Sequence, residues 1–183
     1  MAITTEQIPA GTWTLDPTHS EVSFSVRHLA ISKVKGTFER FDATLTTSED
    51  HTASSVQATI EVASINTNQK DRDGHLQTGD FFLAEEHPQM TFVSTSIEEK
   101  KGDDFLVHGE LTLRGVTKPV TLDAELGGLV VDGYGQTKLG FSAKTKIDRT
   151  SFGVNWNAAL EAGGFTLGND VTVSLEIQFV LGA

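Results

Sequence analysis

Val171-Thr172-Val173-Ser174-Leu175-Glu176-Ile177-Gln178-Phe179 alternates apolar and polar side chains without a break. Successive side chains of a strand leave on opposite faces, so this stretch buries one face and wets the other. The same period recurs upstream. Val22, Phe24, Val26 and His28 share a face against Glu21, Ser23, Ser25 and Arg27. Val56, Ala58, Ile60 and Val62 form another set, as do Phe105, Val107, Leu111 and Leu113. Val120, Leu122, Ala124 and Leu126 follow, then Leu139, Phe141, Ala143, Thr145 and Ile147.

Turn residues separate these runs. Residues 98–104 read as a solvated hairpin loop, residues 114–119 as a tight connection with Pro119 just before the next strand, and residues 132–135 as a further hairpin turn. Strands joined by short links indicate an antiparallel sheet rather than strand–helix–strand units. Two stretches break the period. Residues 66–82 read as a short helix and loop crossing one end of the sheet, with Gly74 costing about 1 kcal/mol relative to Ala if helical. Residues 157–164 read as two helical turns, with Asn155 or Asn157 as cap and Gly163 as stop. Seven or eight antiparallel strands hide their edges completely by closing into a barrel, and about eight leave room for one small ligand. A two-sheet sandwich has the same alternation. Large residues beside Ala58, Gly109, Ala124, Gly140 and Ala143 favour a barrel with interior space.

Composition narrows the function. The chain has 183 residues, 38% apolar and 21% charged, which suits one domain over 1–183 with its core in about 11–180. A net charge of −11 argues against a nucleic-acid or anionic-membrane surface. The absence of cysteine excludes disulfides, thiolate nucleophiles and cysteine-ligated metals. The N-terminus has no basic start and no apolar leader, and no segment is apolar enough to span a membrane, so the expectation is a soluble, cytoplasmic protein without membrane insertion.

Chemistry-bearing motifs are sparse. There is no Gly-x-Ser-x-Gly elbow and no phosphate-binding glycine loop. No two histidines have metal-ligand spacing on a strand or helix, so no metal site is expected. Arg72-Asp73-Gly74-His75-Leu76 is denser in polar groups than a loop needs. It reads either as a salt-bridged corner holding Phe81-Phe82 against the sheet, or as the polar rim of a pocket. The phenylalanine-rich faces read more readily as plain core than as a ligand wall.

Several blocks together resemble one family. They are Asp16-Pro17-Thr18-His19-Ser20 with Val22-Ser23-Phe24-Ser25-Val26-Arg27-His28, then Val34-Lys35-Gly36-Thr37-Phe38 and Ser64-Ile65-Asn66-Thr67. Arg72-Asp73-Gly74-His75-Leu76, Asp80-Phe81-Phe82 and His87-Pro88-Gln89-Met90-Thr91-Phe92 continue the series. Residues 109–120, Asp148-Arg149-Thr150-Ser151-Phe152-Gly153 and Gly168-Asn169-Asp170-Val171 complete it. In order and spacing the set resembles the YceI-like family over residues 11–179. The resemblance implies an all-β, extended lipocalin-like antiparallel barrel of about eight strands with one or two short helices. It also implies a long isoprenoid chain, such as a polyprenyl or quinone tail, bound in an elongated apolar cavity. Related members take fatty-amide-like ligands, many are periplasmic, and members often pair as a homodimer.

The resulting expectation is a non-enzymatic carrier or sequestering protein for such a lipid, with no cofactor beyond it and no nucleic-acid partner. By alternation the wall draws on Val22, Phe24, Val26, Phe38, Phe81, Phe82, Phe92, Leu111, Phe141, Phe152 and Trp156. His28, Arg72 and His75 stand as polar groups near the mouth or under the plug. The competing readings are an enzyme acting on such a lipid with His19, His28 or His75 as general base, and a solid barrel acting through its surface.

Overall fold

The computed structural model describes residues 7–158 and 165–182. Its strands run β1 (Gly11–Leu15), β2 (Glu21–His28), β3 (Ser32–Phe38), β4 (Phe41–Thr47), β5 (Ser55–Glu61) and β6 (Ile65–Asn66). The single α-helix among the described residues, α1 (Lys70–Leu76), follows. Then come β7 (Gln89–Glu99), β8 (Asp104–Leu113), β9 (Val116–Val131), β10 (Thr137–Asp148) and β11 (Leu167–Leu181). Every pairing is antiparallel, and β1 pairs with both β4 and β11, which closes β1-β4-β5-β7-β8-β9-β10-β11 into an eight-stranded barrel. Closure removes the sheet edges that an open meander would expose.

The ring is not uniform. On one side β9, β10 and β11 are long and unbroken, spanning 16, 12 and 15 residues. On the other side three strand positions are interrupted at neighbouring points. Residues 16–20 divide β1 from β2, residues 39–40 divide β3 from β4, and a 3-10 turn at Val62–Ser64 divides β5 from β6. The breaks are stitched to one another, since Glu39 N donates to Ser64 O (3.1 Å) and Glu61 N to Arg40 O (3.0 Å). Beyond them β2, β3 and β6 form a flap that continues from β11. β6 is two residues long and pairs only with β3, so residues 67–88, including α1, span from β6 to β7.

Three of the strand breaks and turns share one chemistry, an Asp-x-Thr triplet. Asp16 accepts from Thr18 N (3.1 Å), Asp50 from Thr52 N (3.0 Å) and Asp148 from Thr150 N (2.9 Å). Each carboxylate caps a 3-10 turn of three or four residues. Hydrogen bonds to the charged form hold these carboxyls below the usual range. Asp16 is lowered first by its bond with His19 and then by Lys138, while Asp50 and Asp148 are lowered by the Thr52 and Thr150 hydroxyls.

Two expectations need correction. Val62 leaves the β5 alternation and starts the 3-10 turn instead. Pro119 does not precede a strand: β8 and β9 are joined by Arg114-Gly115 alone, both at positive φ (51° and 73°), and the strand resumes at Val116. Such a two-residue turn matches the twist of a hairpin. Pro119 is tolerated within β9 because the β9–β10 pairing stops at Asp123, leaving that part of the strand with one unpaired edge. The helical turns expected at residues 157–164 fall mainly outside the described residues; Asn157 and Ala158 are irregular.

The core has two centres. One gathers Trp13, Leu15, Leu45, Phe105, Leu126, Leu139 and Phe179 at the end formed by β1 and β4. Trp13 and Leu139 have no exposed surface, and Trp13 Nε1 is satisfied by Thr47 Oγ1 (2.9 Å). The other gathers Val22, Phe38, Val62, Phe81, Met90, Leu113 and Phe152 at the flap end. Gly109 leaves no void, contrary to the reading of small residues as spacers. A methyl group there would collide with the Phe92 ring and stand 2.6 Å from Val93 O, so the glycine seats a neighbouring side chain.

Candidate functional site

The interior holds two cavities. The upper one, at the flap end, measures about 520 Å³ and the lower one, toward β1 and β4, about 230 Å³. Val22, Ile60, Leu111, Ile147 and Val173 line both, so these five form the waist at which the chambers abut. An apolar cavity of about 150 Å³ already takes up benzene. The inward faces of five strands therefore surround space rather than meeting across a filled centre.

Eleven of the residues expected at the site reach the upper wall. Val22, Phe24, Val26 and His28 come from β2 and Phe38 from β3; Arg72 and His75 lie on α1, with Phe81, Phe82, Leu111 and Trp156 completing the set. Phe92 and Phe141 line the lower chamber, as do Val22 and Leu111 at the waist. Phe152 is the exception. It is 2% exposed and packs in the flap-end core, because the 3-10 turn after β10 rotates it off the strand's inward face.

The roof of the upper chamber is an aromatic cluster braced by polar groups. Phe24 and Phe38 pack at 5.6 Å between centroids, and Phe38 meets Phe82 edge-on at 6.2 Å. The His75 ring stands edge-on to Phe81 (5.0 Å) and to Trp156 (4.9 Å), while its Nε2 contacts Asp80 Oδ2 at 2.7 Å. Arg72 donates from Nε to Thr67 Oγ1 (2.8 Å) and from Nη2 to Thr67 O (2.7 Å). Asp73 accepts from Thr67 N (2.9 Å) and from the Thr67 hydroxyl. The polar corner and the pocket rim, read from sequence as alternatives, are thus the same residues. Their hydrogen bonds hold the corner, and the side chains of Arg72 and His75 border the chamber.

Two arginines were not among the expected site residues. Arg114, in the β8–β9 turn, donates from Nη1 to Gly79 O (2.6 Å) and to Phe81 O, clamping the Phe81 segment to the hairpin. Nothing in its local pattern marks it. Arg149 borders the upper chamber and does have a signal. It stands two residues beyond Ile147, so extending the alternation of residues 139–147 by one step puts an arginine on the apolar face.

Two histidines paired with carboxylates, His19 and His108, lie away from both chambers. His19 Nδ1 contacts Asp16 Oδ2 (2.8 Å) and is largely exposed, and it lines neither chamber. A hydroxyl–imidazole–carboxylate chain does occur, with His108 between Thr121 Oγ1 (2.9 Å) and Glu98 Oε2 (3.1 Å). It lies on solvent-facing positions of β7, β8 and β9, away from both chambers.

The YceI-like domain family matches residues 13–179 of this chain. A UPF0312 protein of Staphylococcus epidermidis is 40% identical over 166 residues, covering 90% of this chain and 94% of the relative. One from Staphylococcus aureus is 38% identical over 169 residues, covering 91% and 96%. Among solved structures, the Campylobacter jejuni YCEI protein superposes with a TM-score of 0.72 at 34% identity, covering 86% of this chain and 90% of the other. Burkholderia cenocepacia BcnA gives 0.79 at 24% identity, covering 90% and 98%. A polyisoprenoid binding domain from Saccharophagus degradans gives 0.71 at 16%, covering 95% and 100%. The last two are likenesses of fold.

Proposed function

This chain belongs to the YceI-like family, and on that footing we propose that it binds a long isoprenoid or similar lipid inside the barrel and carries or sequesters it unchanged. The observation that carries the reading is the pair of abutting apolar chambers, which together run from the flap to the level of Phe105 and Phe179. The Saccharophagus degradans domain described as polyisoprenoid-binding has the same fold, which supports the ligand class.

The energetics suit a tail-binding protein. Each buried CH₂ contributes about 0.8 kcal/mol. A dozen give roughly 10 kcal/mol gross before the loss of chain and rotational freedom is subtracted. Affinity then needs no charged contact, and the tail is selected by its length and shape. A non-enzymatic role is supported by the family match and by the polyisoprenoid binding domain of the same fold.

Mass spectrometry of an organic extract of the purified protein tests the binding. A lipid near one per chain is the expected result. Protein stripped of lipid and reloaded with a labelled polyprenyl lipid tests the role: the label returns chemically unchanged. Multiple turnover overturns the carrier reading, and failure to take up the lipid at all overturns the binding reading.

A further inference from the structure

Arg149 opens the 3-10 turn Arg149–Phe152 at the end of β10, is 6% exposed, and forms part of the upper chamber wall. Two of its three nitrogens are satisfied. Nε donates to Gly168 O (2.9 Å), and Nη1 donates to Val154 O (2.9 Å) and Trp156 O (2.8 Å). Nη2 is buried and meets no acceptor among the described residues. Arg149 makes no ion pair among the described residues either. The neighbouring Asp148 turns its carboxylate to the Thr150 amide (2.9 Å) and hydroxyl (2.6 Å).

A cationic group buried without an ion pair and with idle donors is costly, and natural interiors rarely keep one. Asp148 attracts the guanidinium without pairing with it, and Nη2 still meets no acceptor among the described residues. Three carbonyls from two separate segments instead fix the plane of the guanidinium, and a planar fork held at three points has its remaining N–H directions preset. The arrangement is that of a preorganised donor in a pocket that is otherwise apolar. His28 and Thr166 border the chamber in the same region, His28 being paired with Leu167.

Resting on the lipid-binding reading above, we infer that Arg149 Nη2 is the docking point for an sp² oxygen at the head of the bound chain, a carbonyl or a carboxylate. The lipid then lies head toward Trp156 and Gly168, with its tail passing the waist toward Leu139. Nη2 is covered in the unliganded protein, so the inferred contact requires the side chains that cover it to move aside. Pure hydrocarbons occupy the same space without this contact and bind more weakly.

The test uses the intact chain, stripped of lipid, and three probes of equal length: oleamide, oleic acid and 1-octadecene. Delivered from cyclodextrin, oleamide or oleic acid or both bind at least about ten-fold more tightly than the hydrocarbon, the range expected of a hydrogen bond from a charged donor. Preference for oleamide assigns a neutral carbonyl, and preference for oleic acid a carboxylate. In protein with ¹⁵N-labelled arginine, the Arg149 guanidinium resonances shift with the favoured probe and not with 1-octadecene. In folded Arg149→Met protein the preference falls to within about two-fold. Equal binding of all three probes, or no resonance shift with either oxygen-bearing probe bound, overturns the inference while leaving lipid binding intact. If none of the probes binds, the inference falls, while lipid binding itself is decided separately by uptake of the labelled polyprenyl lipid. The resonance measurement uses the unmutated protein, so the outcome does not depend on whether Arg149→Met folds.

Discussion

The two chambers are built by different means. The lower one lies inside the closed ring, where β8, β9, β10 and β11 supply inward side chains in strict alternation, and Trp13, Leu139 and Phe179 pack the adjoining core. The upper one is assembled from the flap strands, α1, the Phe81 segment and residues 149–156, held to one another mainly through side-chain bonds to backbone carbonyls. Polar groups such as Arg72, His75 and Arg149 border the upper chamber, whereas the lower wall is almost wholly apolar. A regular ladder fixes a cavity of set length. An end made of short pieces has fewer ladder bonds to break, and such regions open locally at lower cost than the ring. On the proposed lipid-binding reading, the lower chamber would measure the tail, and the upper one would admit the lipid and contact its head.

The most severe way to break this division is to charge the upper wall. Phe24→Asp places a carboxylate without a partner beside Phe38, at a cost of several kcal/mol to any apolar occupant. Lipid uptake by the folded variant should be lost, and uptake that persists would put Phe24 outside the bound chain. Trp13→Ala strikes the other end. Removing a side chain with no exposed surface should destabilise the protein by about 3–5 kcal/mol in denaturant titrations, and a much smaller loss would mean the lower end collapses around the gap. Ala143→Phe sharpens the contrast, because Ala143 faces the lower chamber. Filling space equal to about three methylenes should weaken the longest chains by roughly 2 kcal/mol and leave chains short enough for the upper chamber unaffected. A calorimetric series of chain lengths reads the difference directly.

Acid tests the turns that serve both ends. Asp16, Asp50, Asp132 and Asp148 have lowered values in the folded chain, Asp132 mainly through the amide of Gln136. Their stabilisation is complete above the ordinary aspartate value of about 3.9 and is lost as pH falls through the lowered values. Lys138 runs the other way. Asp16 raises it, so its contribution holds below its ordinary value of about 10.4 and fades as pH climbs through the raised one. Thermal melts between pH 2 and 6 should fall only at the acid end; a decline beginning near pH 6 would mean that these aspartates do not set the acid limit. The smallest effect belongs to Gly74→Ala. Gly74 lies within α1 with open space where a methyl would go, so the variant should gain up to about 1 kcal/mol, concentrated in the upper chamber's hydrogen-exchange protection.

The barrel was legible because its determinant is local. The period-2 runs at 20–28, 105–113 and 139–147 state which side chains share a face, whereas a barrel rather than a sandwich was favoured only by the small residues on those faces and by the family resemblance. The upper chamber was less so, since residues on turns obey no period. Phe152 shares the aromatic character of its neighbours but belongs to a turn, and only coordinates show it rotated into core. Arg114 acts through carbonyls more than 30 residues away, which no local pattern encodes. Arg149 was readable in principle, as an arginine on the next inward step after Ile147. The triplets at 16–18, 50–52 and 148–150 were equally visible as repeats of Asp-x-Thr, although their shared role at strand breaks needed the fold.

The two tryptophans of the chain stand at opposite ends of the interior, Trp13 sealed and bonded to Thr47, Trp156 bordering the upper chamber beside His75. That placement gives the protein a pair of built-in optical gauges. Emission from Trp156 responds to whatever enters the barrel, and emission from Trp13 changes only when the barrel itself comes apart. With one indole replaced at a time, occupancy and unfolding can be followed as separate signals in the same sample, with no dye attached.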